Sequence, residues 1–403
     1  MRGFSHKGLK PSGIAWLGDV PGGWDVKRFR SALYERREKY NRNEELMVLS
    51  LLKDVGVIPY SEKGNIGNRA KEDYSQYKVA RKGDLVINSM NVIIGSVGIT
   101  PYDGYISPAY YSFAPREDVC LPYYGYLCST RGFQKAIRCY AKGIMEIRLR
   151  VSSYDFLSMP VPVPPLPEQE AIVKCLDEAT GKIDKAIAAE EKMVALLQER
   201  REIVINEAVL SRGWRGAKRL KTILSETRDL STTGKELPLS LTATDGIIPF
   251  SKKKNRTLEN DTYVGTKIVR KGQIVFNRFR ARLFAVSGYD GLVSPDYAVF
   301  SVGAEADARY LVYMFNTMAF KAQLNLLASG IGDGFSRVYA KDLLSVSIQL
   351  PPLPEQEAIV KRLDEETGKI DRAIAVKRRQ IELLRERREI IINEVVTGKV
   401  KVA

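Results

Sequence analysis

Pro164-Pro165-Leu166-Pro167-Glu168-Gln169-Glu170-Ala171-Ile172-Val173-Lys174 returns unchanged as Pro351-Pro352-Leu353-Pro354-Glu355-Gln356-Glu357-Ala358-Ile359-Val360-Lys361. A repeat at this distance means two copies of one structural unit. Each copy opens a long helical pattern, over 168–208 and over 355–395. The apolar positions of the first are Ile172, Leu176, Ile183, Ile187, Val194, Leu197, Val204 and Ala208. Those of the second are Ile359, Leu363, Ile370, Ile374, Ile381, Leu384, Ile391 and Val395. Spacings of 3, 4 and 7 put each set on one helix face. The other faces hold Glu, Lys, Arg, Gln and Ala, which favour helix. Neither pattern has an internal proline, and Gly181 and Gly368 are its only glycines. The prolines ahead of each pattern hold an extended lead, and Pro167 and Pro354 fall at the helix starts, where a missing N–H matters little. Glu168 and Glu170, like Glu355 and Glu357, suit the positive end of the helix. At about 1.5 Å per residue each helix is roughly 60 Å long.

A narrow apolar stripe on so long a helix calls for a partner helix. The other copy in the same chain is the natural one. Periodicity alone does not fix direction. An antiparallel pair is favoured because each helix adjoins a compact block, and the blocks sit more easily at opposite ends. Two solvent-faced helices of an ordinary helical domain would show the same stripe.

The chain has 403 residues, 44% of them hydrophobic, enough for two or three domains with real cores. No run of 18 apolar residues is present, so no transmembrane helix is expected. The start, Met1-Arg2-Gly3-Phe4-Ser5-His6-Lys7, does not read as a signal peptide. Cys120, Cys128, Cys139 and Cys175 form no close pairs, which suits reduced thiols in the cytoplasm. The formal net charge is +15, and its location is informative. The first helical stretch holds 6 basic against 10 acidic residues and the second 10 against 10, so the helices carry −4 and the rest of the chain +19. Basic blocks beside a nearly neutral helix pair suit a polyanion held by the blocks.

The expected order is a leader (1–21), a first block (22–163), the central helix (164–210), a second block (211–350) and the C-terminal helix (351–398). Within the blocks the repeat continues more weakly. Gly56-Val57-Ile58-Pro59-Tyr60 matches Gly246-Ile247-Ile248-Pro249-Phe250. Lys82-Gly83-Asp84-Leu85-Val86-Ile87-Asn88 matches Lys271-Gly272-Gln273-Ile274-Val275-Phe276-Asn277. Tyr102-Asp103-Gly104-Tyr105-Ile106-Ser107-Pro108-Ala109-Tyr110 matches Tyr289-Asp290-Gly291-Leu292-Val293-Ser294-Pro295-Asp296-Tyr297. The offset drifts from 190 to 187, as small loop changes would cause. Turn dipeptides beside Ile, Val, Leu, Phe and Tyr read as short strands, with a helix over 121–141 and another over 308–328. The fold class is α+β (mixed α/β): two similar globular domains joined by two long helices in an antiparallel coiled coil.

Two pairs of segments diverge between the copies. One is 88–95 against 277–283, and the other is 141–150 against 329–337. A shared scaffold with different polar loops can read two different surfaces. Arginine and asparagine read guanine and adenine edges bidentately, and nearby lysine and arginine hold phosphates. The DNA-binding candidates are Asn88, Ser89, Asn91, Lys142, Arg148 and Arg150, with Asn277, Arg278, Arg280, Arg282 and Arg337.

Catalytic patterns are missing. His6 is the sole histidine, which leaves no second one for a metal site and no base for a nucleophile. There is no phosphate-binding Gly-Lys-Ser/Thr loop and no dinucleotide fingerprint. Ser107-Pro108-Ala109-Tyr110 and Ser294-Pro295-Asp296-Tyr297 only superficially resemble an amino-methylating signature and read better as turns. The chain reads as a binder, with no catalytic residue, metal or cofactor assigned to it.

Two variable blocks, each followed by Pro-Pro-Leu-Pro-Glu-Gln-Glu and a long helix, resemble the specificity subunit of type I restriction–modification systems. The leader Ser12-Gly13-Ile14-Ala15-Trp16-Leu17-Gly18-Asp19-Val20-Pro21 followed by Trp24-Asp25-Val26-Lys27-Arg28 is similar to that family's start. The resemblance spans essentially the whole chain. It implies that each block is a target recognition domain reading one half of a split sequence in double-stranded DNA. It implies that the helices set the gap between the halves and dock two modification (methyltransferase) subunits, which carry the chemistry. Restriction (translocase and nuclease) subunits would complete the complex, with no membrane involved. A coiled-coil adaptor with two protein-binding domains is the competing reading. It leaves the charge of the blocks unexplained.

Overall fold

The structure is a computed structural model. It describes residues 8–53, 55–64, 73–143, 149–210, 216–243, 245–253, 263–279, 282–328 and 337–402. The chain divides into two units, Met1–Glu190 with Gln380–Ala403, and Glu191–Arg379. Each unit therefore takes part of both long helices. These run over Leu166–Val209 and Leu353–Val396, 44 residues each, about two residues longer at their starts than periodicity suggested.

In the first unit, a four-stranded antiparallel sheet joins Leu33–Glu35, Tyr110–Pro115, Leu85–Asn88 and Val97–Ile99 in that order. A second sheet orders Gly56–Pro59, Met47–Leu52, Gly104–Ile106 and Lys78–Ala80, with a parallel contact between Met47–Leu52 and Gly104–Ile106. Asp25–Arg28 pairs with Pro160–Val163 just before the central helix. The expected helix over 121–141 is two helices, Leu121–Ser129 and Arg131–Arg138. Thr130 makes the break, because its Oγ1 accepts from Phe133 N–H and caps the second helix. The leader is not detached from the first block. Leu9–Pro11 pairs with Asp19–Pro21, and Leu17, Val20 and Trp24 are buried in the same core as Phe29, Tyr123, Phe133 and Phe156.

The second unit repeats this plan. Its four-stranded sheet orders Leu224–Thr227, Tyr297–Val302, Ile274–Asn277 and Phe284–Val286. Ala217–Arg219 pairs with Ser347–Gln349. The expected helix over 308–328 again breaks, into Ala308–Phe315 and Met318–Leu326, with Thr317 as the cap. The second sheet is weaker here. It splits into two two-stranded pairs linked by one parallel bridge, Pro238 to Leu292. Trp214, matched loosely to Trp24 in the sequence, lies outside the described residues.

The repeated phrases turn out to be contacts with one another. Asp103 of Tyr-Asp-Gly accepts from Lys82 N–H at 2.6 Å, and Asp290 accepts from Lys271 N–H at 2.7 Å. Gly83 and Gly272 both sit at φ 90°, a backbone state that favours glycine. A Cβ on Gly104 would come within 2.5 Å of Leu49, and one on Gly291 within 2.3 Å of the Leu237 carbonyl. The Ser-Pro segments are turns: Tyr110 and Tyr297 N–H donate to the Ser107 and Ser294 carbonyls.

The helices run antiparallel in both units. In the first, Ile172 and Leu176 share a core with Ile392, Val395 and Val396, and Arg388 Nε donates to Asp184 at 2.9 Å. In the second, Ile205, Ala208 and Val209 share a core with Ile359, Val360 and Leu363, and Arg201 Nε donates to Asp371 at 2.9 Å. Asp371 and Arg388 stand 187 residues after Asp184 and Arg201, so one ion pair is made twice. Ile183, Ile370, Ile374 and Ile381 are buried, and Ile187, Val194, Leu197, Val204, Leu384 and Ile391 are half-buried. Ile172, Leu176, Ile359 and Leu363 belong to the block cores, where the helix starts are embedded.

Gln169 and Gln356 explain why the opening phrase is kept. Gln169 is buried, its Nε2 donating to the Pro164 carbonyl at 2.8 Å and its Oε1 accepting from Cys120 N–H at 3.0 Å. Gln356 is fully buried, donating to the Pro351 carbonyl at 2.7 Å and the Glu305 carbonyl at 3.1 Å, and accepting from Asp307 N–H at 2.8 Å. Each glutamine fastens a helix start to its block.

Candidate nucleic-acid interface

In each unit the residue that follows the second divergent segment is bonded to the first. Val151 N–H donates to the Ser89 carbonyl at 2.9 Å, and Val338 N–H to the Arg278 carbonyl at 3.0 Å. Residues far apart in sequence are thus brought to the same end of the two inner strands of the sheet, where Asn88 pairs with Tyr110 and Asn277 with Tyr297.

The candidates divide by what they touch. Asn88 is buried, and its Oδ1 accepts from Met90 N–H at 3.1 Å. Asn277 Oδ1 accepts from Phe279 N–H at 3.0 Å. Both asparagines build the same local turn, so each Oδ1 helps shape the loop. Ser89 is buried as well. Arg282 is turned inward: it is buried, has φ 38°, and its Nη1 meets Asn325 Oδ1. Burial pushes its guanidinium pKa down. Such a side chain packs its own unit.

Asn91, Lys142 and Arg150 are exposed. Lys142 and Arg150 pair through their backbones at 2.8 and 2.9 Å, closing the base of the second divergent loop, and Lys142 Nζ also reaches Asp155 at 3.2 Å. Arg148 and Arg280 lie outside the described residues. In the second unit Arg278 Nε donates to the Asp296 carbonyl at 2.5 Å. Arg337 stands 4.5 Å over the Phe279 ring and 3.9 Å from Asp296. Arg278, Phe279 and Arg337 thus form one partly exposed, basic and aromatic patch.

Sequence reading missed two lysines. Lys78 and Lys267 occupy the same place in the repeat, and each Nζ donates to the carbonyl of the tyrosine that starts the central strand: Tyr110 at 2.8 Å and Tyr297 at 2.5 Å. Lys78 also lies 4.0 Å over the Tyr111 ring. Burial lowers the pKa of both, and Arg278 and Arg228 lower that of Lys267 further. They stand four residues ahead of the Lys82 and Lys271 phrases, and extending that repeat backward through Arg81 and Arg270 would have reached them.

Beneath the sheets the copies differ in chemistry. The first unit buries Asp84, which takes two hydrogen bonds from Arg36, at 2.6 and 3.0 Å, and one from Ser112 at 2.8 Å. The second has Gln273 there, donating to Thr227 at 3.0 Å and Ser301 at 2.9 Å. Among the described residues no group of three or more His, Cys, Asp or Glu could hold a metal ion, and no helix is long and apolar enough to cross a membrane.

Comparison with known proteins places this architecture. The chain is 24% identical over 430 aligned positions to the Methanocaldococcus jannaschii protein assigned as the type I restriction enzyme MjaX specificity subunit, covering 96% of each. It is 24% identical to the type I restriction enzyme EcoKI specificity subunit of Escherichia coli K12, over 58% of this chain and 55% of that one. A solved chain from work on complex assembly and conformational transition of the type I R-M system superposes with a TM-score of 0.70 at 17% identity, covering 94% of this chain and 99% of that one. The profile described as "Type I restriction modification DNA specificity domain" matches twice, over 38–192 and 225–384. The chain therefore belongs to the type I restriction–modification DNA specificity family.

Proposed function

We propose that this chain is the sequence-specific DNA-recognition subunit of a type I restriction–modification complex, non-catalytic itself. Its two blocks, 22–163 and 211–350, each read one half of a bipartite target. One observation carries the reading: a scaffold kept in both units fastens the end of one differing segment to the other, at the same strand end each time. Two copies of one reader with different contact loops suit a target made of two different halves. Arg278 and Arg337 are the base-reading candidates of the second block; Asn91 and Arg150 are those of the first.

The helix pair sets the gap between the halves and docks two modification subunits, which supply the methyl transfer; restriction subunits join them. Docking at two similar surfaces is supported by a second apolar stripe. Leu196 and Ile203 are each 48% exposed on the central helix, and Leu383 and Ile390, 187 residues later, are 48% and 56% exposed on the C-terminal helix. Exposed leucine and isoleucine at heptad spacing, once in each unit, suit a partner that binds twice.

The test is to map methylated bases in the DNA of cells expressing this chain with its modification subunits. A split motif with two short halves and a fixed gap, lost on deletion of the chain, is the expected result. An unchanged methylation pattern on deletion, with salt-insensitive partner binding by the purified chain, would favour the adaptor reading.

A further inference from the structure

The differences between the two units mark what reads sequence; the charged residues they share mark something else. Cationic positions kept across the repeat near the divergent loops include Arg150 with Arg337, at the ends of the loops themselves, and two pairs outside them. Lys78 and Lys267 are one such pair. Arg37 and Arg228 are another, in matching places just after the strands Leu33–Glu35 and at the end of Leu224–Thr227. Each arginine is tied to the glutamate two residues before it: Arg37 to Glu35 at 3.7 Å, and Arg228 to Glu226 at 2.7 Å. Their side chains remain 86% and 81% exposed. Each lysine lies within electrostatic reach of the same glutamate.

The lysines are unusually placed for surface residues. Both are half-buried, and both amines are held by a main-chain carbonyl. A carbonyl positions an ammonium without neutralising it, so its charge stays available to a second, anionic acceptor. That carbonyl belongs to the strand residue paired with Asn88 or Asn277, the pivot of the divergent loop. The cation is therefore set beside the base-reading loop while making no use of its variable side chains. A contact that must serve two different half-sites has to fall on the part of DNA that does not vary, the phosphate.

We propose that Lys78 and Lys267, each with its neighbouring arginine (Arg37 or Arg228), are the sequence-independent phosphate contacts of the two blocks. The proposal rests on DNA recognition by these blocks and adds which residues hold the backbone. It assigns the retained cations to position and leaves the divergent loops to choose bases.

The experiment measures binding of the full chain to two duplexes of unrelated sequence across a salt series. Removing both amines (Lys78→Met with Lys267→Met) should lower the slope of log affinity against log salt by about 2, since each phosphate contact contributes roughly 0.9. Affinity should fall by the same factor on both duplexes. Lys78→Arg with Lys267→Arg should restore the slope. If the methionine pair unfolds the chain, Arg37→Gln with Arg228→Gln removes two exposed cations and should lower the slope by a similar amount. An unchanged slope in the folded variants, or a loss confined to one duplex, overturns the assignment. A wild-type chain with no salt-dependent duplex binding defeats DNA recognition and this inference together. A steep wild-type slope that survives the substitutions defeats the inference alone.

Discussion

Replacing Gln356 by methionine tests whether the repeated phrase is a clamp. The substitution keeps length and apolar volume but removes every hydrogen bond of the amide. Three main-chain groups lose their partner: the Pro351 carbonyl, the Glu305 carbonyl and the Asp307 N–H. A buried group left unsatisfied costs about 1–3 kcal/mol. The Pro351 bond is fully buried, while the other two are only part-buried and can recruit water. We therefore expect a loss of about 2–4 kcal/mol in the second unit. Gln169→Met breaks only two such bonds, to Pro164 and Cys120, and should cost the first unit about 1 kcal/mol less.

The damage should also have a place. Asp307 caps the helix Ala308–Phe315, its Oδ1 accepting from Arg309 N–H at 2.7 Å and Tyr310 N–H at 2.9 Å. Freed from Gln356, Asp307 loses the bond that fixes this cap. Hydrogen exchange read by mass spectrometry should show lost protection at 353–360 and 307–315, with the first unit unaffected. A Gln356→Met chain whose exchange matches wild type in those segments, or whose protection falls evenly across both units, would refute the clamp.

Four further outcomes follow from particular contacts. Inserting one heptad into each long helix, between Glu190 and Glu191 and between Arg379 and Gln380, adds about 10 Å at 1.5 Å per residue; the mapped methylation motif should keep its halves and widen its gap by about 3 base pairs, given 3.4 Å per base pair. Replacing block 22–163 with that of a relative should change one half-site only, and a change in both would sink modular reading. Leu196→Glu with Ile203→Glu should cost the complex one modification subunit by native mass spectrometry, as should Leu383→Glu with Ile390→Glu, and unaltered stoichiometry in both would remove the stripe as a docking face. On acidification the first unit should loosen around Glu38: hydrogen bonding to Arg81 outweighs burial and holds the Glu38 carboxyl below the usual glutamate range. A depressed folded pKa gives stability present above the unfolded value and lost as pH falls through the folded one. Exchange monitored through that range should show protection lost at 36–44 and 78–84 as the pH falls, and unchanged protection there would remove the Glu38 contact as a source of stability.

The order of elements was legible because it is written twice. Exposed positions of the long helices are filled by strong helix formers, so their length stood out, while the breaks at Thr130 and Thr317 did not. Each threonine sits inside a stretch whose apolar spacing continues on both sides, and its capping role depends on the direction taken by the next turn. The phrase Pro-Glu-Gln-Glu drew attention to its prolines and acids, yet the glutamine makes the long-range contacts. Nothing in a sequence says that an amide between two glutamates is buried. The same limit hid the surroundings of Asn88, Asn277 and Arg282. Their residue types suit base edges, but their side chains are engaged within their own unit.

Duplication also separates what a residue is for. Where both copies keep a residue, as with Gly104 and Gly291 or Asp103 and Asp290, a backbone contact in each unit accounts for it. Where the copies differ inside, as with Asp84 and Gln273, each solution still satisfies its hydrogen bonds. Divergence at the strand end is another matter. There Ser89 in one unit stands where the other has Arg278, and Met90 where the other has Phe279, with the supporting backbone bonds intact. A chain under pressure only to fold would have no reason to keep the frame and change its rim so sharply. Selection for two different half-sites on one frame would produce this division, and it directs mutagenesis to the rim for specificity and to the retained cations for affinity.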